Sequence, residues 1–397
     1  MPKALDDIKI LDFSRMYAGP FCTMMLKDLG AEVIKIEIPG GGDGVRDLPP
    51  MTEGGEAYIF VNLNRGKKSI TLNLSTQRGQ EVARELVKKV DVVVENFTPG
   101  VMAKLGLGYE ELKQINPGIV YASLSGFGHT GPYSSHPAFD ILAQAMGGLM
   151  SITGFADGPP TKTGPALADL ISAHYLTISI LTALHYRDRS GTGQHIDISM
   201  QDCIWAMTAI QFAPHYFLTG EAPPRQGNGQ IEATPFNVYP AKDGHVVIAI
   251  VTVGHWQEFL RVIHREDLLE VAEYATQSER INHRQEMDAM VEEWTRTRSI
   301  SEIMDMLNDA HLPCSPVPTF DEVANDPQLL SREMVIEVEQ LLSGTLKVPG
   351  SVFKLSETPG DVKFAAPFLG EHNYEVYPDL MGYDEQEISQ LAEDGII

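Results

Sequence analysis

The chain has 397 residues, 43% of them apolar and 21% charged, which are the proportions of a globular protein of two or three domains. Its net charge of −24 argues strongly against nucleic acid as a partner and obliges any anionic ligand to find local positive charge, helix N-termini or backbone N–H groups. No apolar run reaches the ~20 residues that span a bilayer, the N-terminal seven residues hold no apolar leader, and Cys22, Cys203 and Cys314 lack metal-ligand spacing, so a cytoplasmic protein without membrane partner or metal site is expected.

Residues 8–13 alternate as a first strand, and residues 14–20 form a turn. Residues 21–29 follow as a helix stopped by Gly30, and residues 31–37 as a second strand. This βαβ order implies a parallel sheet with a right-handed crossover. The first turn carries Ala18-Gly19-Pro20 in place of Gly-x-Gly-x-x-Gly, so a nicotinamide cofactor is poorly supported, although Glu37 ends a strand as a ribose-binding acid does. The glycines of residues 39–44 read as a loop. Residues 69–74 read as a strand, 80–90 as an amphipathic helix and 90–94 as a buried parallel strand. Ligands of open α/β sheets bind beyond the carboxyl ends of the strands, which makes Asn96 and Phe97 candidate binding residues. A turn residue and a core aromatic are their plainer alternatives. Residues 118–124 form another strand and lead into a second glycine-rich loop, residues 125–132.

Asp169 opens the longest apolar segment, since residues 170–186 contain no Lys, Arg, Asp or Glu. A helix apolar all round is a buried helix, which sets Asp169 at the N-terminus of a helix entering a core. Two readings stand side by side. Asp169 is an N-cap that accepts an orphan backbone N–H, or it is a nucleophile. A helix N-terminus favours the ionised form, and an ionised carboxylate can attack an acyl carbon and carry it covalently.

Residues 195–200 alternate as a further strand, so residues 1–200 are expected to form a Rossmann-like, doubly wound α/β large domain. Residues 201–224 are a connector, helical from 203. Residues 225–320 are a smaller α+β domain, with a hairpin about residues 241–244 and helices at 255–264, 283–297 and 301–310. Residues 321–365 are a second connector, and residues 366–397 are a tail that returns to the large domain and ends in a helix at 384–394.

Several motifs occur in a specific order over nearly the whole chain: Leu11-Asp12-Phe13 with Ala18-Gly19-Pro20, residues 29–37, residues 64–69, Val94-Glu95-Asn96-Phe97 through Gly100, residues 191–194 with Asp197, and Leu369-Gly370-Glu371-His372. In this the sequence resembles CoA-transferase family III, which includes formyl-CoA, crotonobetaine and benzylsuccinate CoA-transferases and shares its fold with α-methylacyl-CoA racemase. The resemblance implies Asp169 as the catalytic aspartate. It would form an aspartyl anhydride and then an aspartyl-CoA thioester. Acyl-CoA, with succinyl-CoA as the donor the family suggests, and a small carboxylic acid would be the substrates, with no tightly bound cofactor. CoA contacts are implied at Met16, Tyr17, Ala18, Leu72, Asn96 and Phe97, with Lys104 as a phosphate partner. A family arginine falls on Ile38 here, and Arg46 is the candidate replacement. The loop of residues 125–128 is the candidate source of oxyanion donors. The glycine-rich active-site loop of formyl-CoA transferase has no counterpart near residues 250–262, which argues against formyl-CoA and oxalate.

Two rivals remain at this stage. A racemase needs two acid/base groups, but Phe139 and Asp140 occupy the positions of the racemase His-Asp pair, with His136 the nearest remaining histidine. A non-catalytic acyl-CoA-binding protein would bind CoA without a covalent adduct. The family also implies a homodimer of interlocked rings, an expectation reinforced by the length of the two connectors if they are structureless.

Overall fold

Six short segments pair into one parallel sheet: β1 (Lys9–Asp12), β2 (Glu32–Glu37), β3 (Lys68–Thr71), β4 (Val92–Glu95), β5 (Val120–Ser125) and β6 (His195–Ser199). Their spatial order is 3-2-1-4-5-6, the order of a Rossmann-like doubly wound sheet, as expected from the βαβ pattern. The architecture is seen in a computed structural model that describes residues 3–362 and 364–397. Residues 1–2 of the stretch read for a leader, and residue 363 of the second connector, lie outside the described residues. The strand order reverses between β1 and β4, where Leu11 pairs with Val93 and Asp12 with Val94. A crevice opens at such a switch point, beyond the carboxyl ends of the strands. β4 and β5 are buried throughout, as expected for β4 from its unbroken run of valines.

The helices follow in chain order: α1 (Ala18–Asp28), α2 (Gln77–Val87), α3 (Tyr109–Ile115), α4 (Asp140–Met146), α5 (Leu167–Ser190) and α6 (Met200–Thr219). α1 takes in residues 18–20, which the sequence suggested were a turn. Pro20 is tolerated there because first-turn N–H groups have no intrahelical acceptor. Gly19 is required by space, because a Cβ at that position would lie 2.2 Å from Ser14 Cβ. α5 packs against α1, β5 and β6. Its 24 residues are long and apolar enough to cross a membrane by length and composition. It buries Ala173, Leu176, Ile180 and Ala183 on one side, while Ile178 on the other is 61% exposed. The expectation of a helix buried all round is thus overturned.

Contacts divide the chain into two units. The large unit holds residues up to Leu149, Lys162–Phe217 and Pro327–Ile397; the small unit holds Met150–Thr161 and Leu218–Asp326. Within the small unit, β7 (Phe236–Ala241) and β8 (Gly244–Ala249) form the expected hairpin, and β9 (Cys314–Pro316) pairs with β8. Helices α7 (Val253–Val262), α8 (Arg284–Arg296) and α9 (Ile300–Asp309) bury Trp256, Phe259, Val291, Trp294 and Ile303 in the core shared with this sheet.

Neither connector is structureless. α6 fills most of residues 201–224. Residues 321–365 contain a second hairpin, β10 (Val335–Gln340) with β11 (Gly344–Pro349), whose Val338 and Val348 pack with Val45, Ala57 and Phe60 of the large unit. The length of the connectors therefore lends no support to interlocked rings. The C-terminal residues cover the edge of β3: Ser69 donates its N–H to His372 Nδ1 at 3.2 Å, and His372 donates its own to Ser69 O at 2.9 Å. α10 (Asn373–Met381) and α11 (Glu385–Glu393) follow, and Val376, Tyr377, Ile388 and Leu391 join the core beneath α2. An open sheet edge is thereby closed.

A layer of buried charge underlies the β1–α1 turn. Lys67 Nζ lies 3.2 Å from Asp12 and donates to Pro20 O (3.0 Å), Thr23 Oγ1 (2.8 Å) and Asn64 Oδ1 (2.9 Å). Lys35 lies 2.9 Å from Asp43 and bonds Ser14 O, also at 2.9 Å. Buried ion pairs stand only when their remaining donors and lone pairs are also satisfied, as they are here. Burial pushes the Lys67 ammonium down to about 8, so it still carries charge at neutral pH. Lys67→Met would strand the Asp12 carboxylate, and we expect it to cost about 3–5 kcal/mol; urea unfolding at neutral pH measures this, and a loss under 1 kcal/mol would contradict it.

Candidate active site

The crevice between β1 and β4 holds a cavity of about 540 Å³. Met16, Tyr17, Ala18, Asn96, Phe97 and Asp169, six of the residues singled out from the sequence, all line it. Phe97 also faces a second cavity of about 310 Å³, which takes in Leu72 and Ile38. Lys104 ends the short helix Val101–Lys104 and is exposed; its neighbours Val101 and Leu105 line the second cavity, but Lys104 lines neither.

Asp169 is the third residue of α5, and Ala166, which lacks a capping side chain, is the N-cap. The N-cap reading of Asp169 is therefore wrong. The helix end is served from elsewhere: Asp140 Oδ1 accepts the Ala168 N–H at 2.8 Å. Asp140 Oδ2 accepts Gln144 Nε2 at 2.7 Å, and Gln144 Oε1 accepts the Thr163 N–H and hydroxyl, each at 3.1 Å. This relay ties α4 to the strand of chain that enters α5. It leaves the Asp169 carboxylate with no hydrogen bond or ion pair among the described residues. Burial, and then the Asp140 charge, push Asp169 up to about 7. The helix N-terminus favours ionisation, but desolvation and a like charge outweigh it. Tyr17, whose hydroxyl is raised by burial and by Asp169, faces the same space.

The walls are held from behind. Met16 has a left-handed φ of 65°, and its N–H is taken by Asp43 at 3.1 Å, so this amide is already engaged within the protein. Asn96 clamps Arg15, accepting its N–H and donating to its carbonyl, both at 2.8 Å. Glu95 accepts the Phe97 N–H at 2.9 Å, and burial pushes this carboxyl up to about 7. In the loop after β5, Ser125 and Gly126 line the cavity, but the Gly128 N–H turns inward to Ser125 Oγ at 3.0 Å. A Cβ on Gly126 would meet Ala138 Cβ at 2.1 Å, so only glycine lets these walls close. Arg46 does not replace the missing basic residue at Ile38. It forms a two-point pair with Glu37, at 2.8 and 2.7 Å, and lies over the Phe60 ring. Phe139 lines the cavity without offering a proton, and His136 packs against Phe127 and Tyr133 outside the lining.

Sequence reading missed three residues. Asp140 was weighed only as half of a racemase pair, although its four-residue spacing from Gln144 places both on one helix face. Arg15, at the end of β1, and Lys162, ahead of α5, also line the cavity. The only signal for Arg15 was its place between Leu11-Asp12-Phe13 and Ala18-Gly19-Pro20, and for Lys162 its place just ahead of the apolar segment that Asp169 opens.

A doubly wound sheet with a cavity at its switch point, lined by a helix N-terminus and an uncommitted carboxylate, is the arrangement of an α/β protein that binds a small ligand beside a carboxylate free to react. The sequence pattern of CoA-transferase family III matches residues 5–373, and the chain belongs to that family and is a CoA-transferase. It is 41% identical to a succinyl-CoA:mesaconate CoA-transferase of Haloarcula marismortui, over 96% of this chain and 97% of that one. It is 37% identical to a succinyl-CoA–D-citramalate CoA-transferase of Chloroflexus aurantiacus, over 100% and 98%. The crystal structure of a CaiB/BaiF family protein from Brucella suis superposes with a TM-score of 0.84 at 35% identity, covering 96% of this chain and all of that one.

The raised Asp169 has a thermodynamic signature. Its carboxyl ionises near 3.9 in the unfolded chain and about 7 in the fold. The folded protein therefore holds the proton more tightly, and stability is withdrawn as pH rises between those values. Asp169→Asn should raise the thermal midpoint at pH 8 and leave it unchanged near pH 4; scanning calorimetry at both pH values checks this, and equal shifts at both would refute it.

Proposed function

We propose that this enzyme moves CoA from succinyl-CoA to a small dicarboxylic acid through covalent intermediates on Asp169. The observation that carries this reading is the Asp169 carboxylate itself, which lines the cavity while Asp140 serves the helix end in its stead. With no internal partner among the described residues to hold it, this carboxylate is available to attack a ligand in the cavity.

The ionised Asp169 attacks the donor thioester carbonyl. The C–S bond breaks, leaving a mixed anhydride and CoA thiolate. The thiolate then attacks the Asp169 carbonyl, releases the donor acid and leaves an aspartyl-CoA thioester. The acceptor carboxylate attacks that thioester and expels the thiolate, giving a second anhydride. The thiolate attacks the acceptor's acyl carbon, and Asp169 departs as carboxylate. No net proton is consumed. Each tetrahedral oxyanion needs donors. The first turn of α1, which no side chain caps and whose Ala18 lines the cavity, is suited to supply them.

Mesaconate and citramalate, in the names of two relatives, are dicarboxylic acids. Lys162 lines the cavity with Asp169 and, among the described residues, bonds only carbonyls of its own loop, Thr163 O at 2.6 Å and Gly164 O at 2.9 Å. It is suited to hold the acceptor's second carboxylate. A racemase is disfavoured because Phe139 contributes no proton-transfer group.

Asp169→Ala and Asp169→Asn should fold and lose transfer from succinyl-CoA to mesaconate by several orders of magnitude. In the wild type, succinyl-CoA followed by hydroxylamine should leave a hydroxamate on Asp169, read by mass spectrometry. Near-normal turnover in either variant, or no adduct in the active enzyme, would sink the mechanism.

The interlocked homodimer is likewise our proposal. It is supported by apolar residues that α6 leaves uncovered in the single chain, Ile210 at 83% and Phe217 at 71% exposure. Threaded rings cannot part without unfolding, so sedimentation at nanomolar concentration should still show a dimer. A folded, active monomer there would exclude the arrangement.

A further inference from the structure

Arg15 is the one cation among the described residues that lines both cavities, the larger with Asp169 and the smaller with Leu72, Ile38 and Phe97. Its backbone cannot drift, because Asn96 bonds both its N–H and its carbonyl at 2.8 Å. Its guanidinium lies over the Phe97 ring, 5.0 Å from the centroid, and makes no hydrogen bond or ion pair among the described residues. The nearby cations behave otherwise: Lys35, Lys67 and Arg46 are bound to Asp43, Asp12 and Glu37. An arginine held at its backbone but left unpaired at its fork is arranged to meet an anion that arrives with a ligand.

The chemistry of the proposed substrate identifies that anion. In an acyl-CoA the diphosphate lies between the thioester-bearing pantetheine arm and the adenosine. The cavity with Asp169 suits the thioester end, and the apolar cavity of Leu72, Ile38 and Phe97 suits a planar base. A group that borders both stands where the diphosphate must pass. Against a net charge of −24, two phosphate charges also need a local cation. Ile38 provides none, and Arg46 is spent on Glu37.

We infer that Arg15 binds the diphosphate of the acyl-CoA substrate at the junction of the two cavities. This rests on the CoA-transferase reading above, with the cation–π contact to Phe97 holding the fork in place before the ligand arrives.

The test is binding of three probes, CoA, dephospho-CoA and pantetheine, to wild type, Arg15→Gln and Arg15→Lys by calorimetry, with transfer kinetics alongside. Dephospho-CoA keeps the diphosphate and lacks the 3′-phosphate; pantetheine lacks both. Arg15→Gln should weaken CoA and dephospho-CoA alike by about 10- to 100-fold, the range of a lost charge-assisted bond. It should raise KM for succinyl-CoA with kcat within about twofold, and leave kcat/KM for succinyl-pantetheine unchanged. Arg15→Lys should recover part of the loss. Loss for CoA but not for dephospho-CoA would move Arg15 to the 3′-phosphate and overturn the inference. So would equal loss for pantetheine thioesters, a raised KM for the acceptor alone, or unaltered CoA binding. A wild type that does not bind CoA would instead overturn the CoA-transferase reading, and this inference with it.

Discussion

The bond from the Ala168 N–H to the Asp140 carboxylate is the constraint on which this site turns. Every helix begins with N–H groups that lack an intrahelical acceptor, and α5 begins without a capping side chain of its own. Asp140 meets the need from α4, and its second oxygen holds Gln144, which in turn holds Thr163. One carboxylate thereby positions the helix end and frees the other. Asp169, one residue beyond the capped N–H, faces the cavity with its oxygens uncommitted. The same proximity raises its affinity for a proton, because two carboxylates in partly desolvated surroundings resist double ionisation. In the proposed reaction, a carboxylate destabilised by its surroundings gives up less when it becomes a neutral anhydride or thioester.

The rest of the site is set by what lies behind it. The layer of Asp12, Lys35, Asp43 and Lys67 has no access to solvent to speak of, and each member is bonded at several atoms. It holds the β1–α1 turn in an uncommon conformation: Asp43 takes the Met16 N–H, and Met16 keeps a left-handed φ of 65°. The turn thus presents Tyr17 and the N-terminus of α1 to the cavity. A strongly acidic protein can handle anions on this basis, because its basic residues divide by task. Those in the layer hold the fold; Arg15 and Lys162 face the cavity.

The large sheet explains why the site lies where it does. Crossovers leave β1 and β4 in opposite directions, and the gap between them receives residues from both strand ends, Arg15 to Ala18 and Asn96 to Phe97. Residues from further elements complete it, among them Gly126 beyond β5, Ile141 on α4, Asp169 on α5 and Met200 on α6. Gly126 permits the close approach of the Ala138 segment, so that the wall beside Asp169 is continuous.

By itself the sequence determined the order of elements, the parallel sheet and the family, because apolar runs, βαβ spacing and ordered motifs are local properties of the chain. It also singled out Asp169, Asn96 and Phe97, since a strand end or a helix start can be read from a few neighbours. Only the tertiary structure decided what those groups do to one another. That Asp140 rather than Asp169 serves the end of α5 depends on two helices 20-odd residues apart in sequence meeting at one amide. That Arg46 is spent on Glu37, and Arg15 is not spent at all, depends on which carboxylates fold against which cations. The helix of the first connector was legible from residue 203, but the β10–β11 hairpin of the second was not, because it owes its order to packing against Val45, Ala57 and Phe60 rather than to a strong local pattern. Burial moved the Asp169 proton affinity opposite to the helix-end expectation, for desolvation is a property of everything packed around a group and cannot be read from its neighbours in the chain.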